Sequence, residues 1–545
     1  MKKNKLISLL FILLIGISCT DQMRKEQLEL AEEVSRKTEA KYMLAGSIVG
    51  ITKYYQEEAF AEDNYLAVME YYQQLFSVKA QSYEEFTKAP GNWDTEYKLL
   101  YGTKAGIDLA LEQKLPSTAA AMQILQAFMF ELLTDIYGDI PYTEAFKGRD
   151  YVFLPEFDTQ ESIYNSLLNK LDSAVILLKN NADVIDEDQD LLYEGNKEGW
   201  IRFANSVRLR MLVRSYEAFN GAKSKELQDA ANSWLIDDNE WNANMSYEGS
   251  NDDNSWYFGE KGNDNELTRR KPSVTFVNAL KENNDPRLRA WLSPATTPWT
   301  DTITTGVTAD TVTVTDYYGN EFTVFYLNAD YVENPDILAG FPMNATYVGA
   351  PLMASSAIKF IWGDESDDAY NNWKMSDWNP NIFGQRKHPL FQATLMEASE
   401  VMFYLAEAAQ RGWVTGNASD YYEQAIRLNM KRWEINDDDI DQYIGTNSMP
   451  DDNTEALKAI YTEKWKSLFN QAPQAWFDYR RTQWPELGAI KNNLNAYPFP
   501  LRWRYPTYEA DNNTENVDEA VNRSLGGKDT QDAKMWILSN VTPVH

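Results

Sequence analysis

In Leu133-Thr134-Asp135-Ile136-Tyr137-Gly138-Asp139-Ile140-Pro141-Tyr142 a long helix comes to an abrupt stop. Upstream, Ala121, Leu125, Phe128, Leu132 and Ile136 fall three or four residues apart, the spacing of an apolar stripe along one helix face. Pro116 suits the first turn, where its missing N–H costs nothing. At the far end Gly138 is free to take the left-handed conformation that closes a helix, and Pro141 then holds the chain extended.

The same spacing recurs on both sides. Tyr42 to Phe76 and Trp93 to Gln113 read as helix, with a turn-containing connection between them. Ile163, Leu167, Leu171, Ala174 and Leu178 line another, and Trp200 to Tyr216 a further one. That last helix carries Arg202, Arg208, Arg210 and Arg214, expected to pair with helix carboxylates. Near the C-terminus, Phe391 to Gly412 and Ala418 to Trp433 form a helix pair, with Ala406, Ala408 and Ala409 small enough for close packing. Its length of roughly 40 residues has the cadence of a tetratricopeptide unit. Ala456 to Asn470 and Ala472 to Arg481 predict another pair.

Residues 234–390 differ. Asn, Asp, Gly, Pro and Thr accumulate, and helical spacing fades. Thr311 to Thr315 and Phe322 to Tyr326 alternate around Tyr317-Tyr318-Gly319-Asn320, which predicts a β-hairpin. Asp285-Pro286 predicts a helix start, with Asp285 as cap and Pro286 in the first turn. The expected fold is mainly α: a tetratricopeptide-like helical-repeat scaffold, residues 41–233 and 391–545, with an irregular loop-rich insertion at 234–390. Together these form one domain, 41–545.

The N-terminus points to export. Lys2, Lys3 and Lys5 precede an apolar run of 12 residues, Leu6 to Ile17, followed by Ser18 and Cys19. Twelve helical residues reach roughly 18 Å, short of the ~30 Å hydrocarbon layer, so this is a signal peptide (1–18) and not a membrane span. No later apolar run approaches spanning length, so the rest is expected to be soluble. Cys19 directly after such a signal resembles the lipobox of bacterial lipoproteins, with Gly16 standing where Leu is usual. The resemblance implies lipidation of Cys19 and a tether over 19–40.

Composition narrows the chemistry. Fifty-one Lys+Arg against 82 Asp+Glu give a net charge of −31, a field that repels nucleic acid. With one cysteine and two histidines, His388 and His545, a Cys–His nucleophile, a His-rich zinc site and structural disulfides are excluded by count. His388 reads as a surface residue in a polar segment. Asp437-Asp438-Asp439 reads as a solvated acidic turn, so neither metal nor cofactor is expected.

Several further blocks carry a family likeness. They are Leu133 to Ala145, Phe157 to Tyr164, Trp200 to Arg210, Asp285 to Leu288, Ala406 to Trp413, Trp476 to Thr482 and Asn495 to Arg502 with Tyr505-Pro506. In this order they resemble the SusD/RagB nutrient-binding outer-membrane lipoproteins over almost the whole mature chain. The resemblance implies a cell-surface, lipid-anchored outer-membrane protein seated over a SusC-like TonB-dependent β-barrel transporter. Sugar oligomers are the usual cargo of such proteins, and some relatives capture peptides.

Tyr137, Tyr142, Trp200 and Trp476 lie on or beside regular helices and are expected in the core. Eight of the 17 tryptophans fall between residues 234 and 378, which places the ligand contacts in the irregular region. An indole covers the C–H face of a pyranose while Asn, Asp or Arg groups hydrogen-bond its rim. Trp256, Tyr257, Trp299, Trp362, Trp373 and Trp378 are the candidates there, with Trp93 from the N-terminal half. The expected function is non-catalytic glycan capture and delivery to the transporter. A peptide-binding relative, a surface glycoside hydrolase using two carboxylates and a purely structural lipoprotein are the alternatives.

Overall fold

Pro116 does open the central helix, which runs to Tyr137 and buries nearly its whole length. The computed structural model describes residues 39–58, 63–74, 79, 82–87, 92–250, 270–300, 308–328, 343–352, 375–488 and 497–544. Among these, the helices that build the scaffold are α1 (Ala40–Gln56), α2 (Trp93–Glu112), α3 (Pro116–Tyr137), α4 (Gln160–Asn180) and α5 (Lys197–Arg214). The second group is α6 (Ala398–Gln410), α7 (Ala418–Arg432), α8 (Asp437–Thr446), α9 (Asn453–Ser467) and α10 (Ala472–Thr482). Consecutive helices lie against one another, α2 on α3, α3 on α4, α4 on α5 and α6 on α7, as in a repeat stack. Helix α3 is long and apolar enough to cross a membrane, which the sequence reading overlooked, but protein covers it on all sides.

Gly138 ends α3 with φ 91° and ψ −122°, a conformation open to glycine but distinct from the left-handed helical one predicted. The side chain of Met535 lies 3.2 Å from where a Cβ would sit. This stop is where the C-terminal segment docks. Trp503 N–H donates to the Ile136 carbonyl (3.0 Å). Arg502 donates from Nε and Nη2 to the Tyr137 carbonyl at 3.1 and 3.0 Å. The Tyr505 hydroxyl donates to the Asp139 carbonyl at 2.7 Å. Asp139 in turn accepts from Gln160 N–H and from Arg523. The quoted stretch is a junction between the first and last parts of the chain.

Ion pairs fasten the two helix groups together. Arg210 of α5 binds Glu131 of α3 at 2.6 Å and Glu400 of α6 at 3.1 Å. Arg481 grips Glu407 of α6 and Asp478. Asp478 also meets Lys464 at 2.6 Å and accepts from the Tyr404 hydroxyl. These cations hold the Asp478 carboxyl well below the usual range despite its burial, while burial brings the Lys464 ammonium down to about 8. At the surface, Arg202 pairs with Glu198 and Asp237, and Arg208 with Asp172. Arg214 meets Asp135 and Asp478 at 3.5 and 3.4 Å, so all four arginines of α5 pair with carboxylates, as expected.

The strands are short: β1 (Tyr72–Gln74), β2 (Ala243–Met245), β3 (Arg270–Pro272), β4 (Leu292–Ser293), β5 (Trp299–Thr300), β6 (Thr308–Thr315), β7 (Glu321–Asn328), β8 (Asp377–Trp378) and β9 (Ala393–Met396). The predicted hairpin is β6–β7, extended by β5 parallel to β7. Its turn needs Gly319 at φ 87°, and Asp316 Oδ1 accepts from Tyr318 and Asn320 N–H groups. Tyr317 and Tyr318 pin the turn to the scaffold through Asp439 Oδ2 and the Trp433 carbonyl.

Three boundaries differ from the sequence reading. Residues 42–76 do not form one helix, because α1 stops at Gln56 and Tyr72–Gln74 pairs as β1 with β3. Residues 393–396 are strand, so α6 starts only at Ala398. The helix after Asp285-Pro286 begins at Arg287, with Asp285 Oδ1 accepting from the Arg287 N–H. Asp437-Asp438-Asp439 is the first turn of α8, capped by Asn436 and favoured there by the helix dipole.

Candidate functional site

Cys19, Trp256, Tyr257, Trp362 and Trp373 lie outside the described residues. Trp299 stands in β5, opposite Leu327 of β7. The remaining two predicted contacts are corrected. Trp93 is 5% exposed, boxed in by Tyr97, Tyr137, Phe157 and Tyr505. Trp378 is 2% exposed and meets Phe469, Phe383 and Phe276 at ring separations of 5.5, 5.7 and 5.9 Å. Neither offers a ring face to solvent. Flanking polar residues made both look like loop tryptophans, but Trp93 opens a helix and Trp378 closes the β4–β8 ladder. Tyr137, Trp200 and Trp476 are core, as expected, and Tyr142 packs against Phe130 at its edge.

The described residues do form an open groove, at the border of the irregular region. Strands β2 and β9 pair antiparallel, with a bulge between Ala243 and Asn244. Beyond the end of this ladder, Ser246 and Tyr247 leave β2 while Phe391 and Gln392 lead into β9. Arg386-Lys387-His388-Pro389 forms the facing wall, and together they enclose ≈ 130 Å³. That is below the ~300–1,000 Å³ of typical small-molecule pockets, so a ligand would seat one unit here and run out across the surface.

Each wall is fixed. The Tyr247 hydroxyl reaches the Val49 carbonyl and Thr52 Oγ1 of α1, both at 3.3 Å, which locks the ring. Its burial pushes the phenol up to about 12. Gln392 Nε2 donates to Ser246 Oγ across the join. His388 Nδ1 accepts from Leu390 N–H at 3.2 Å, and Phe391 N–H donates to the His388 carbonyl at 3.0 Å. Burial lowers the His388 pKa, with Glu434 raising it and Arg432 lowering it, so the ring is neutral at pH 7. Gly249, at φ 63°, brings the two walls together: a Cβ there would lie 2.5 Å from Lys387 Cβ and 3.0 Å from the Arg386 carbonyl oxygen.

The groove therefore offers the half-buried Tyr247 ring, a hydroxyl, an amide, an imidazole and two cationic side chains, with no carboxylate among its lining residues, while Phe391 at its base packs into the core against Phe383. Such a set binds by stacking and hydrogen bonding. Among the described residues no group of three His, Cys, Asp or Glu side chains is gathered for a metal. Sequence reasoning treated His388 as surface and missed the groove. The one available signal was three successive basic-type residues, Arg386-Lys387-His388, in a chain of charge −31.

The sequence profile of a SusD-like family, described as starch-binding and associating with the outer membrane, matches residues 31–506. No curated protein matches. Among solved structures, a SusD homologue from Bacteroides fragilis NCTC 9343 is 23% identical, with a TM-score of 0.70 over 92% of this chain and 99% of its own. A second one from the same strain is 20% identical, with a TM-score of 0.71 over 92% and 100%. A chitin-binding SusD homologue from Flavobacterium johnsoniae is 20% identical, with a TM-score of 0.65 over 92% and 100%. These likenesses extend the helical fold over almost the entire chain, and the profile match assigns the lineage: the chain belongs to the SusD-like family.

Proposed function

We propose that this protein captures a glycan at the outer membrane, without chemistry, and passes it to a SusC-like TonB-dependent transporter. The observation that carries this reading is the groove at the end of the β2–β9 ladder, displayed on a SusD-like scaffold. The Tyr247 ring and the polar groups beside it suit the alternating apolar and hydroxylated surface of a sugar. In the sequence, the candidates Trp256 and Tyr257 follow shortly after the groove residue Tyr247. The family description as starch-binding, and the chitin-binding relative, support a polysaccharide as cargo. Anchoring through Cys19, exposure at the cell surface and the division into tether and single domain belong to the same proposal.

Calorimetry with starch- and chitin-derived oligosaccharides tests the reading. Tyr247→Ala should weaken binding by about 1 kcal/mol, roughly five- to tenfold, while Tyr247→Phe, which keeps the ring but loses its hydroxyl anchor, should weaken it less. Chromatography of the same mixtures should show intact oligosaccharide. Cleaved products, or full affinity in Tyr247→Ala, would defeat this assignment.

A further inference from the structure

Tyr151 and Phe153 are the most exposed aromatic residues among those described, at 83% and 72%, whereas most of the others are buried. Their rings lie 6.4 Å apart at 83°, one edge-on to the other, so neither is stacked beneath its neighbour. With more than four fifths of its surface open, Tyr151 presents a ring face to solvent. The segment that carries the pair is fixed at both ends. Tyr151 takes a left-handed φ of 64°, uncommon outside glycine, and its N–H donates to the Gly148 carbonyl at 3.1 Å. Val152 N–H donates to the Lys147 carbonyl at 3.2 Å. On the far side Asn516 Nδ2 donates to the Leu154 and Pro155 carbonyls, and Asn513 Nδ2 to that of Pro155 at 2.9 Å. Glu156 N–H donates to Glu144 Oε2 at 3.0 Å.

Folding gains little by holding two rings in water on a strained backbone, and such an arrangement marks a contact site. At about 200 Å² per aromatic side chain, the pair leaves roughly 300 Å² open. A specific protein interface covers about 800 Å² on each partner, around a core poor in charge. Here exposed Lys147, Arg149, Asp150 and Glu156 bracket the rings closely in the chain. Sinking the rings into lipid would bring the same charges to the bilayer. A pyranose needs a single ring face, and its hydroxyls hydrogen-bond to charged neighbours of this kind. Resting on the reading that this protein captures a glycan, we infer a second saccharide contact on the scaffold. In it Tyr151, with Phe153 edge-on beside it, stacks on one unit of a neutral polysaccharide, which the −31 charge does not repel. The contact shares no residue with the groove, so a polymer has two places to engage and a short oligosaccharide one at a time.

Affinity electrophoresis of the full chain in gels containing amylopectin or glycol chitin reads polymer binding. Calorimetry with maltotriose or chitotriose reads the groove. Tyr151→Asn removes the ring but tolerates the left-handed backbone, and Tyr151→Phe keeps the ring. In the polymer that wild type binds, Tyr151→Asn should weaken affinity about fivefold, while Tyr151→Phe should stay within about twofold. Trisaccharide affinity should be the same in both variants as in wild type, whereas Tyr247→Ala should lower it. Polymer affinity unchanged in Tyr151→Asn but lowered in Tyr247→Ala overturns the second contact and leaves the groove standing. A trisaccharide loss in Tyr151→Asn also overturns it, because the residue would then act through the groove. Sedimentation with phosphatidylglycerol vesicles that depends on Tyr151 would give the loop to lipid and overturn it as well. Wild type that binds neither polymer nor trisaccharide overturns the glycan reading itself.

Discussion

Glu96 gives the sharpest test of how α1, α2 and α3 pack around a buried carboxylate. It lies on α2, 1% exposed, with Oε1 accepting from the Tyr54 hydroxyl at 2.5 Å and Oε2 from the Tyr137 hydroxyl at 3.4 Å. Burial raises its pKa from 4.5 to about 7, and the two phenol hydrogen bonds offset only part of that. The folded protein therefore holds a proton that the unfolded chain has already released between pH 4.5 and 7. Stability from this group is complete below the unfolded value and is lost as pH rises to the folded one. At about 1.36 kcal/mol per pH unit, the interval is worth ~3 kcal/mol. Burial also raises Asp135, to about 6, so the wild-type profile mixes several groups. The difference between wild type and Glu96→Gln isolates one. Guanidinium unfolding followed by tryptophan fluorescence, from pH 4.5 to 7.5, should show the variant gaining ~3 kcal/mol on the wild type across that range. A difference that stays flat with pH would refute the reasoning, because it would mean that Glu96 is ionised in the folded state throughout.

The other predictions concern single contacts. Asp478→Asn leaves Arg481, Lys464 and Arg214 without their shared carboxylate and should cost about 3–5 kcal/mol, read by the same unfolding assay. Trp378→Ala should cost a similar ~3–5 kcal/mol through the cavity left beside Phe469 and Phe383, the signature of a core residue. Gly249→Ala meets both the positive φ and the Lys387 Cβ, so saccharide affinity should fall at least fivefold with only about 1 kcal/mol lost in stability. Asn242→Ala removes the acceptor for the Ala398 N–H, at 2.7 Å, and should cost about 1 kcal/mol with faster amide exchange in β2 and β9.

The helices were readable because each has a period that only one structure satisfies. Ile163, Leu167, Leu171, Ala174 and Leu178 are all buried on α4, and Ala406 and Ala408 are buried on α6, which packs on α7. The alternation of Thr311 to Thr315 found the hairpin for the same reason. Short strands were not readable. Residues 393–396 are buried on every side chain, so no two-residue rhythm marks them, and they were absorbed into the helix that follows. The site failed differently. Reading tryptophan as a sugar platform depended on exposure, and polar neighbours in sequence say little about exposure. Trp378 sits between Asp377 and Asn379, yet Asp377 pairs with Lys271, and Asn379 is buried and donates to the Ala290 carbonyl. Polar residues that look like loop are here the satisfied partners around an aromatic core.

That error explains where a binding surface can arise in this fold. Most aromatic rings among the described residues are buried, whereas Tyr247 is half-buried at the groove. Tyr247 is held by its hydroxyl, anchored on Val49 and Thr52 of α1. The ladder beneath it is held from both ends. Gln56 of α1 donates to the Thr394 carbonyl at 2.6 Å, and Asn242 caps α6 from outside because Glu397, at the cap position, makes no such bond. The groove is thus an extension of two scaffold helices, not a loop laid upon them. A ligand seated there would meet walls whose order was established on folding, and would spend little of its binding energy arranging them.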